Sequence, residues 1–210
     1  NVVVIQDFLE EDEVFVPFNG VGDSSLEQDK EKYQYSYEDI ITMLQENVKL
    51  TDVEQTVNLF WDMFVIDAFI ANFDRHGSNW GFIKKNNRYR LSPVFDNGSS
   101  LFPQLNTDEK IETVLRNQEE IDRRIYKFPT SQVKYKGKKS SYYEIISSLA
   151  FEECNHALVR IVERTDFDKI NKLIESVENI SEQRKKFYKI ILQQRYEKIL
   201  LKSYHELMAK

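Results

Sequence analysis

The most constraining feature of the sequence is a stretch at residues 63–71 that is apolar at eight of nine positions and interrupted only by Asp67. It forms the second half of a helix that begins with the pattern Thr51 followed by Glu54, and we expect this helix to run to about Phe73. A helix that is apolar nearly all round has to be covered on every side. The stretch therefore predicts the central helix of a core, in which Asp67 must find a partner or a wet cleft.

The rest of the chain predicts a mainly α fold with some β-structure (α+β). Residues 1–8 (NVVVIQDF) are rich in β-branched side chains and predict a buried strand, for which residues 14–18 are a weak nearby partner. Residues 80–84 and 88–94 alternate around Lys85-Asn86-Asn87 and predict a β-hairpin. Residues 19–35 predict a loop, and helices are expected from Ser36 and near residues 108–125, 141–164, 166–178 and 181–209.

Composition excludes several classes of protein. Six Gly and four Pro among 210 residues are too few for a turn-dense sandwich or a disordered linker protein. The net charge of −6 argues against a generally basic nucleic-acid coat. A single cysteine, Cys154, excludes a disulfide framework and favours a reducing compartment such as the cytoplasm. No apolar run approaches the roughly 18–20 residues that a membrane span requires.

The beginning of the chain suggests a missing neighbour. Asn1 stands where a Met would open a protein, and it is followed at once by a strand-like apolar run. An isolated pair of strands is marginal in water. We therefore expect partner strands upstream and expect the chain to be a piece of something longer.

Two short segments, NFDRHGSNWGF and LSPVFDNG, carry the polar residues that suggest chemistry. The predicted hairpin between them sends the chain out and back, so Asp96 is expected beside Asp74 and Asn79. Phosphoryl transfer needs a carboxylate to orient or deprotonate the attacking hydroxyl, and an Asn and a second carboxylate to hold Mg²⁺. Asp74 and Asn79 are five positions apart and Asp96 precedes Gly98 by two, as in protein kinases. Gly98 is expected to permit a turn with positive φ there.

On these motifs, and on the order of elements around them, the sequence resembles the HipA-like serine/threonine kinases, especially their CtkA-type branch. Its DRHxxN and DNG segments are also similar to those of phosphatidylinositol kinases. The resemblance implies a kinase-like large lobe at residues 33–210 with a catalytic β-hairpin, and the hinge and last strand of a truncated small lobe at residues 1–32. It implies transfer of the γ-phosphate of ATP, with Mg²⁺, to a Ser/Thr hydroxyl of a protein. Backbone groups near Gln6 and Phe8 would then hydrogen-bond adenine.

The same resemblance assigns the candidate catalytic residues. Asp74 would be the catalytic base, and Asn79 and Asp96 would hold the metal. His76 would stabilise developing phosphate charge, or it would only tie the loop to Asp96 or to a carbonyl. Arg75 is expected to form a local salt bridge, with pairing to a phosphate as the alternative.

The chain departs from the kinase pattern because it contains no Gly-rich loop of the GxGxxG type and no GxxxxGK[ST] motif. Gly20-Val21-Gly22 lies in an acidic segment and is interpreted as an ordinary turn. Whether this chain alone binds ATP or catalyses phosphate transfer is therefore left open. Asp67 is expected to anchor the loop that carries Asp74.

Three other functions remain open on the sequence. The first is a lipid or inositol kinase, and the second is a non-catalytic pseudokinase binding module. The third is a metal hydrolase that uses Asp67, Asp74, His76 and Asp96. The expected partners are a protein substrate and an antitoxin-like regulator, with no direct nucleic-acid binding. The basic loop at residues 134–139 is interpreted as a solvated turn, with contact to a substrate or partner as the alternative.

Overall fold

The computed structural model describes residues 7–18, 20, 40 and 52–210. The strand predicted at residues 1–8 lies mostly outside these residues, and the described Asp7 and Phe8 do not belong to a strand. The loop predicted at residues 19–35 and the helix predicted from Ser36 also fall outside them, except Ile40, which is buried. None of the helices in the described part of the chain has the length and apolar character needed to cross a membrane.

Helix α1, Val53–Ile70, is the predicted central helix. Its N-cap is Asp52, whose side chain accepts a hydrogen bond from the Gln55 amide, so the helix begins one residue later than the predicted Thr51 cap. Trp61, for example, is completely buried. The helix ends at Ala71, which is in the left-handed conformation with φ 57°. This ending places the loop with NFDRHGSN directly at the end of a buried helix, so the loop has a rigid base.

A three-stranded antiparallel sheet lies beside α1 in the order β1-β2-β3. Its strands are β1 Val14–Pro17, β2 Gly81–Lys85 and β3 Arg88–Leu91. The β2–β3 hairpin confirms the sequence prediction, and Asn86 and Asn87 make its turn with φ of 48° and 64°. The weak strand at residues 14–18 is also confirmed, and its partner among the described residues is β2.

The contact between β1 and β2 depends on Gly81. Gly81 is paired with Pro17, and a Cβ at position 81 would overlap the carbonyl oxygen of Val16 and lie 2.8 Å from the Cα of Pro17. Directly beside this point the rings of Phe18 and Trp80 stack with centroids 4.1 Å apart. The glycine therefore allows β1 to pack onto the strand that follows the candidate catalytic loop.

The remaining described elements are mostly helical. They are α2 Asp108–Leu115, α3 Gln118–Asp122 with the π-helical segment Arg123–Lys127, β4 Thr130–Tyr135, β5 Lys138–Ser141, α4 Tyr142–Ser148, α5 Glu152–Arg164, α6 Phe167–Ser176, α7 Glu182–Arg195 with the π-helical segment Tyr196–Leu201, and α8 Lys202–Met208.

One prediction about these elements was wrong, and another, the solvated turn at residues 134–139, missed the strands on either side of the turn. The helix predicted at residues 141–164 is two helices, α4 and α5, because the chain reverses at Leu149 with φ 52°. The basic loop at residues 134–139 is part of a second β-hairpin, β4–β5. The strand β5, with the sequence KKSS, carries no apolar alternation, so its pairing could not be read from local pattern.

The buried Arg195, the last residue of α7, joins that helix to the C-terminal end of α1. Its Nε donates to the carbonyl of Ala68 at 2.7 Å, and its Nη1 donates to the carbonyl of Arg124. Burial lowers the pKa of Arg195 to about 9. A cation at the last turn of α1 complements the negative end of the helix dipole.

Candidate active site

The loop that follows α1 is held at its start by Asn72. The amide of Asn72 donates from Nδ2 to Asp67 Oδ1 at 2.9 Å, and its own Oδ1 accepts from the backbone N–H of Asp74 at 3.2 Å. Asn72 is completely buried. The backbone of Asp74 is therefore fixed to a carboxylate that is part of α1.

The side chain of Asp74, in contrast, is available. It is 46% exposed, and its carboxylate accepts no hydrogen bond from the described residues. Nε2 of His76 lies 3.8 Å from Oδ1. A half-exposed carboxylate without a fixed partner can receive a hydroxyl group, as a general base requires.

The ring of His76 is oriented by the loop itself. Its Nδ1 accepts from the backbone N–H of Ser78 at 3.2 Å. In the neutral ring the proton is therefore on Nε2, the nitrogen that faces Asp74. The predicted tie to Asp96 or to a carbonyl was wrong, because the bond that the ring makes goes to a backbone amide two residues away.

The side-chain amide of Asn79 is hydrogen-bonded to the described residues through its nitrogen and not through its oxygen. Its Nδ2 donates to the carbonyl of Asp74 at 2.8 Å, and its backbone N–H donates to the carbonyl of His76 at 2.8 Å. The residue is 8% exposed, and its Oδ1 accepts no hydrogen bond from the described part of the chain. This arrangement leaves one oriented oxygen as a possible metal ligand.

Arg75 connects α1 with both candidate loops. Its guanidinium pairs with Asp67 through Nε–Oδ2 at 2.8 Å and Nη2–Oδ1 at 3.0 Å. Its Nη1 also donates to the carbonyls of Asn79, at 2.7 Å, and Phe95, at 2.5 Å, and Nη2 donates to Oδ1 of Asn97 at 2.6 Å. The predicted local salt bridge is therefore present, and so is the predicted anchoring role of Asp67.

Through Arg75 the structure brings the DRHGSN and DNG segments together. The carbonyls of Asn79 and Phe95 share one nitrogen of the guanidinium, and Asp96 directly follows Phe95. Asn72 and Asn97 were not singled out on the sequence. Their only signal was their place inside the two motifs, and the partner of Asn97, Arg75, lies 22 residues away.

The backbone at Asp96 differs from the prediction. The residue with positive φ is Asp96 itself, at 52°, and Gly98 is not in the left-handed region. Asp96 is exposed, and its carboxylate forms no ion pair with the described residues. Asp tolerates the left-handed region better than most residues, and such conformations are often found at active sites.

An aromatic cluster lies directly before Asp96. Phe8 stacks on Phe95 with centroids 5.8 Å apart, and Phe15 meets both rings edge-on at 6.1 and 5.2 Å. The predicted adenine-contacting segment at Phe8 therefore lies beside the residue that precedes the candidate metal ligand. Gln6, the other residue of that prediction, lies outside the described residues.

The donor set fits a magnesium ion better than a metal-hydrolase centre. The amide oxygen of Asn79 and the carboxylate of Asp96 are hard oxygen ligands, and Mg²⁺ commonly takes one or two protein ligands and completes its shell with phosphates and water. Within the described ranges no group of three or more His, Cys, Asp or Glu residues could hold a metal. The hydrolase alternative fails there, because Asp67 is 1% exposed and is already paired with Arg75.

Known proteins resemble this chain over nearly its whole length. The chain is 35% identical over 202 residues to serine/threonine-protein kinase CtkA of Helicobacter pylori, and the match covers 95% of this chain and 62% of that protein. The crystal structure of a Helicobacter pylori proinflammatory kinase CtkA matches with a TM-score of 0.89 and 32% identity, covering 97% of this chain and 74% of the other. The predicted mainly α, kinase-like fold is thereby confirmed. The profile of the HipA-like C-terminal domain matches residues 22–162, and the chain belongs to the HipA-like C-terminal domain family.

Proposed function

We propose that this chain is the large lobe and hinge of an enzyme that transfers the γ-phosphate of ATP to a Ser/Thr hydroxyl of a protein. The observation that carries the proposal is the half-exposed carboxylate of Asp74, which lacks a hydrogen-bond donor among the described residues while its backbone is fixed to Asn72 and Asn79. The similarity to a protein named as a serine/threonine kinase supports the reaction type.

In the proposed reaction the acceptor hydroxyl attacks the γ-phosphorus. A new bond forms between the acceptor oxygen and phosphorus, the bond from phosphorus to the bridging β-phosphate oxygen breaks, and ADP leaves with that electron pair. Asp74 orients the hydroxyl and accepts its proton. Asn79 and Asp96 would hold Mg²⁺, which when bound neutralises charge on the β- and γ-phosphates.

His76 has a separate proposed role. Since its Nδ1 accepts from Ser78, its Nε2–H is the free donor of the ring and is directed to the same side of the loop as Asp74. It would donate to an oxygen of the phosphoryl group and so stabilise charge that develops there. Its ring is 45% exposed, which leaves room for a ligand.

The division of the chain remains a prediction. Residues 1–32 would supply the hinge and the last strand of a small lobe, residues 33–210 the large lobe, and backbone groups near Gln6 and Phe8 would contact adenine. The chain spans 62% of the length of the curated relative that it matches. The chain contains no GxGxxG or GxxxxGK[ST] motif, so its activity on its own stays open. The cytoplasm remains the predicted compartment.

The test is Asp74→Asn in the full-length protein that contains this chain. Removing a general base is expected to lower the rate of phosphate transfer about 100-fold or more. The urea concentration at the midpoint of unfolding should be the same as for the parent protein. Asp168→Asn is the matched control, since Asp168 is an exposed carboxylate on α6. Robust transfer by Asp74→Asn would remove the base assignment.

The DRH triplet also occurs in lipid kinases, and this motivates a second acceptor class. The structure weakens it, because Arg75 is 7% exposed and its guanidinium is occupied by Asp67 and by loop oxygens. It is therefore not offered to a headgroup phosphate. Protein and phosphoinositide acceptors should be compared side by side, and transfer to neither while nucleotide still binds would support the pseudokinase alternative.

A further inference from the structure

The β4–β5 hairpin presents a cluster of lysines whose role the catalytic site does not explain. We define the basic hairpin as the four residues Lys134, Lys136, Lys138 and Lys139. Lys136, at φ 51°, and Gly137, at φ 71°, form its turn. Lys136, Lys138 and Lys139 are exposed, and Lys134 is half-buried. Four ammonium groups are thus concentrated at one tip.

These four ammonium groups lack acidic neighbours. None of them forms an ion pair with a carboxylate of the described residues. Elsewhere on the described surface, lysines such as Lys85, Lys169 and Lys198 each pair with an acidic side chain. Lys172 on α6 and Lys186 on α7 are also exposed and lack an acidic partner in the described residues, but they lie on separate helices. The hairpin therefore differs in having several such lysines grouped together.

The strand register makes the arrangement unfavourable on its own. Lys134 lies directly opposite Lys139 in the β4–β5 pair. Like charges directly opposite each other on two strands destabilise a hairpin. A local conflict of this kind is expected where a binding function compensates for it, and an anionic partner would relieve the repulsion.

The hairpin is rigidly attached to the candidate catalytic loop. The ring of Phe128, two residues before β4, packs against the ring of Phe73, with the ring centroids 5.9 Å apart. Phe73 directly precedes Asp74. Ser131 of β4 lines a small cavity of about 20 Å³ together with Asp67 and other residues below that loop. The tip is therefore held at a defined distance from the catalytic loop.

Lys134 is near enough to the catalytic loop to contact residues that flank the acceptor residue of a bound substrate. Lys134 follows Phe128 by six residues, and extended chain advances about 3.3 Å per residue, so Lys134 lies within about 20 Å of Phe128. Lys127, next to Phe128, is exposed and has no acidic partner in the described residues. It adds a fifth positive group between the loop and the hairpin.

We propose that the basic hairpin and Lys127 bind acidic residues that flank the acceptor Ser/Thr of the protein substrate, an inference that rests on the proposed function. A polypeptide is favoured over a nucleic acid for two reasons. The net charge of −6 opposes a long polyanion. The aromatic ring on the hairpin, Tyr135, packs against Phe151 at 5.4 Å, so it is not a free platform for stacking bases.

The test compares two synthetic serine peptides that differ only in having Glu or Gln at the flanking positions. In the full-length protein, kcat/KM is expected to favour the Glu peptide by about tenfold at low salt and by less at 0.5 M salt. The triple variant Lys134→Gln, Lys138→Gln, Lys139→Gln should lose most of this preference while keeping the rate on the Gln peptide. Lys172→Gln with Lys186→Gln is the matched control, since both lysines are exposed on other helices and lack acidic partners in the described residues.

A variant with reversed charge on the hairpin distinguishes recognition of the peptide's charge from a general loss of protein stability. The same three lysines changed to Glu should shift the preference to a peptide with Lys at the flanking positions. The inference would be overturned if the triple Gln variant kept the parent's ratio of kcat/KM for the Glu and Gln peptides. It would also be overturned if the control variant lost the preference for the Glu peptide to the same extent. Tight binding of a 20-base-pair DNA duplex to the hairpin, without binding of the Glu peptide, would also overturn it.

Binding measured by fluorescence anisotropy keeps the two proposals distinct. If no peptide is phosphorylated, the proposed function fails, yet a labelled Glu peptide should still bind the parent more tightly than the triple Gln variant. If phosphate is transferred equally well to both peptides and neither binds more tightly, the proposed function stands and the acidic-segment inference fails.

Discussion

Arg75 and Asp67 form a buried bidentate pair, with Nε–Oδ2 at 2.8 Å and Nη2–Oδ1 at 3.0 Å. The pair joins α1 to the loop that follows it, and the remaining donors of the same guanidinium hold the carbonyls of Asn79 and Phe95. The planar fork of arginine is required here, because the three donors of a lysine ammonium cannot satisfy five acceptor oxygens. The two proposed metal ligands are thus carried by segments that share one cation.

Arg75→Lys keeps the charge but loses the fork. We expect the Mg²⁺ concentration for half-maximal phosphate transfer to rise about tenfold or more, as when a group that orients a metal ligand is removed. The free energy of unfolding should fall by about 1–3 kcal/mol, since hydrogen bonds to a charged group are lost. Magnesium titration of the activity and urea unfolding measure the two effects.

Arg160→Lys is the control for this change. Arg160 makes a two-nitrogen contact with Asp62 between α5 and α1, at a partly exposed position. Arg160→Lys should lower the free energy of unfolding and leave the Mg²⁺ dependence of activity unaltered. An Arg75→Lys protein with the parent's Mg²⁺ dependence would show that the guanidinium does not position the ligands.

The proposed metal ligands themselves give a second prediction. Asp96→Asn removes a charge from the site, and Asn79→Ala removes the one unused amide oxygen of the loop. Each should weaken Mg²⁺-dependent nucleotide binding by at least about tenfold, because a divalent ion loses one of its few protein ligands. Isothermal titration with ATP in the presence of Mg²⁺ or EDTA measures this. If EDTA still weakens ATP binding to Asp96→Asn as much as to the parent, Asp96 is not a ligand.

Gly81→Ala tests the close approach of β1 to β2. The added methyl group would overlap the carbonyl of Val16, which is backbone and cannot rotate away. We expect the free energy of unfolding to fall by about 2 kcal/mol or more, the range found when a packed site is overfilled. Gly98→Ala is the control, because its nearest neighbour would be Asp96 Oδ1 at 3.8 Å, an ordinary contact. Equal stability of the two variants would contradict the assignment of Gly81.

Acidification should weaken the anchoring of the chain before β1. Hydrogen bonding to the backbone N–H of Glu10, and then to Arg90, lowers the pKa of Glu13 below its usual value of 4.5. A carboxyl group whose folded pKa is lowered stabilises the protein above its unfolded pKa, and this contribution is lost as the pH falls through the folded pKa. Glu13→Gln should therefore show a smaller loss of stability between neutral pH and about pH 3 than the parent. Urea unfolding at several pH values measures it, with the exposed Glu11→Gln as control, and a parallel decline in all three proteins would exclude this role.

Much of the frame could be predicted because its rules act over a few residues. The all-round apolar stretch predicted the buried helix α1, and alternation around Asn86-Asn87 predicted the β2–β3 hairpin. The order of the DRHGSN and DNG motifs predicted that the two segments would meet, and both contact Arg75. Helical period, strand alternation and turn preference are all set by neighbours along the chain.

Other features depended on contacts between distant segments. Arg75 binds Phe95 and Asn97, which are 20 and 22 residues away, and no local pattern specifies those partners. The positive φ belongs to Asp96 and not to Gly98, because the packing of the segment and not the residue type selected the site of the turn.

The sequence by itself therefore determined the central helix, the β2–β3 hairpin and the identity of the polar residues placed at its two ends. The tertiary structure decided which of those residues remain free for chemistry. Asp67 and Arg75 pair with each other, while the described residues donate no hydrogen bond to the carboxylate of Asp74 or to the amide oxygen of Asn79. The physical reason is that a buried charge must be paired, and only the folded chain shows which partner is within reach.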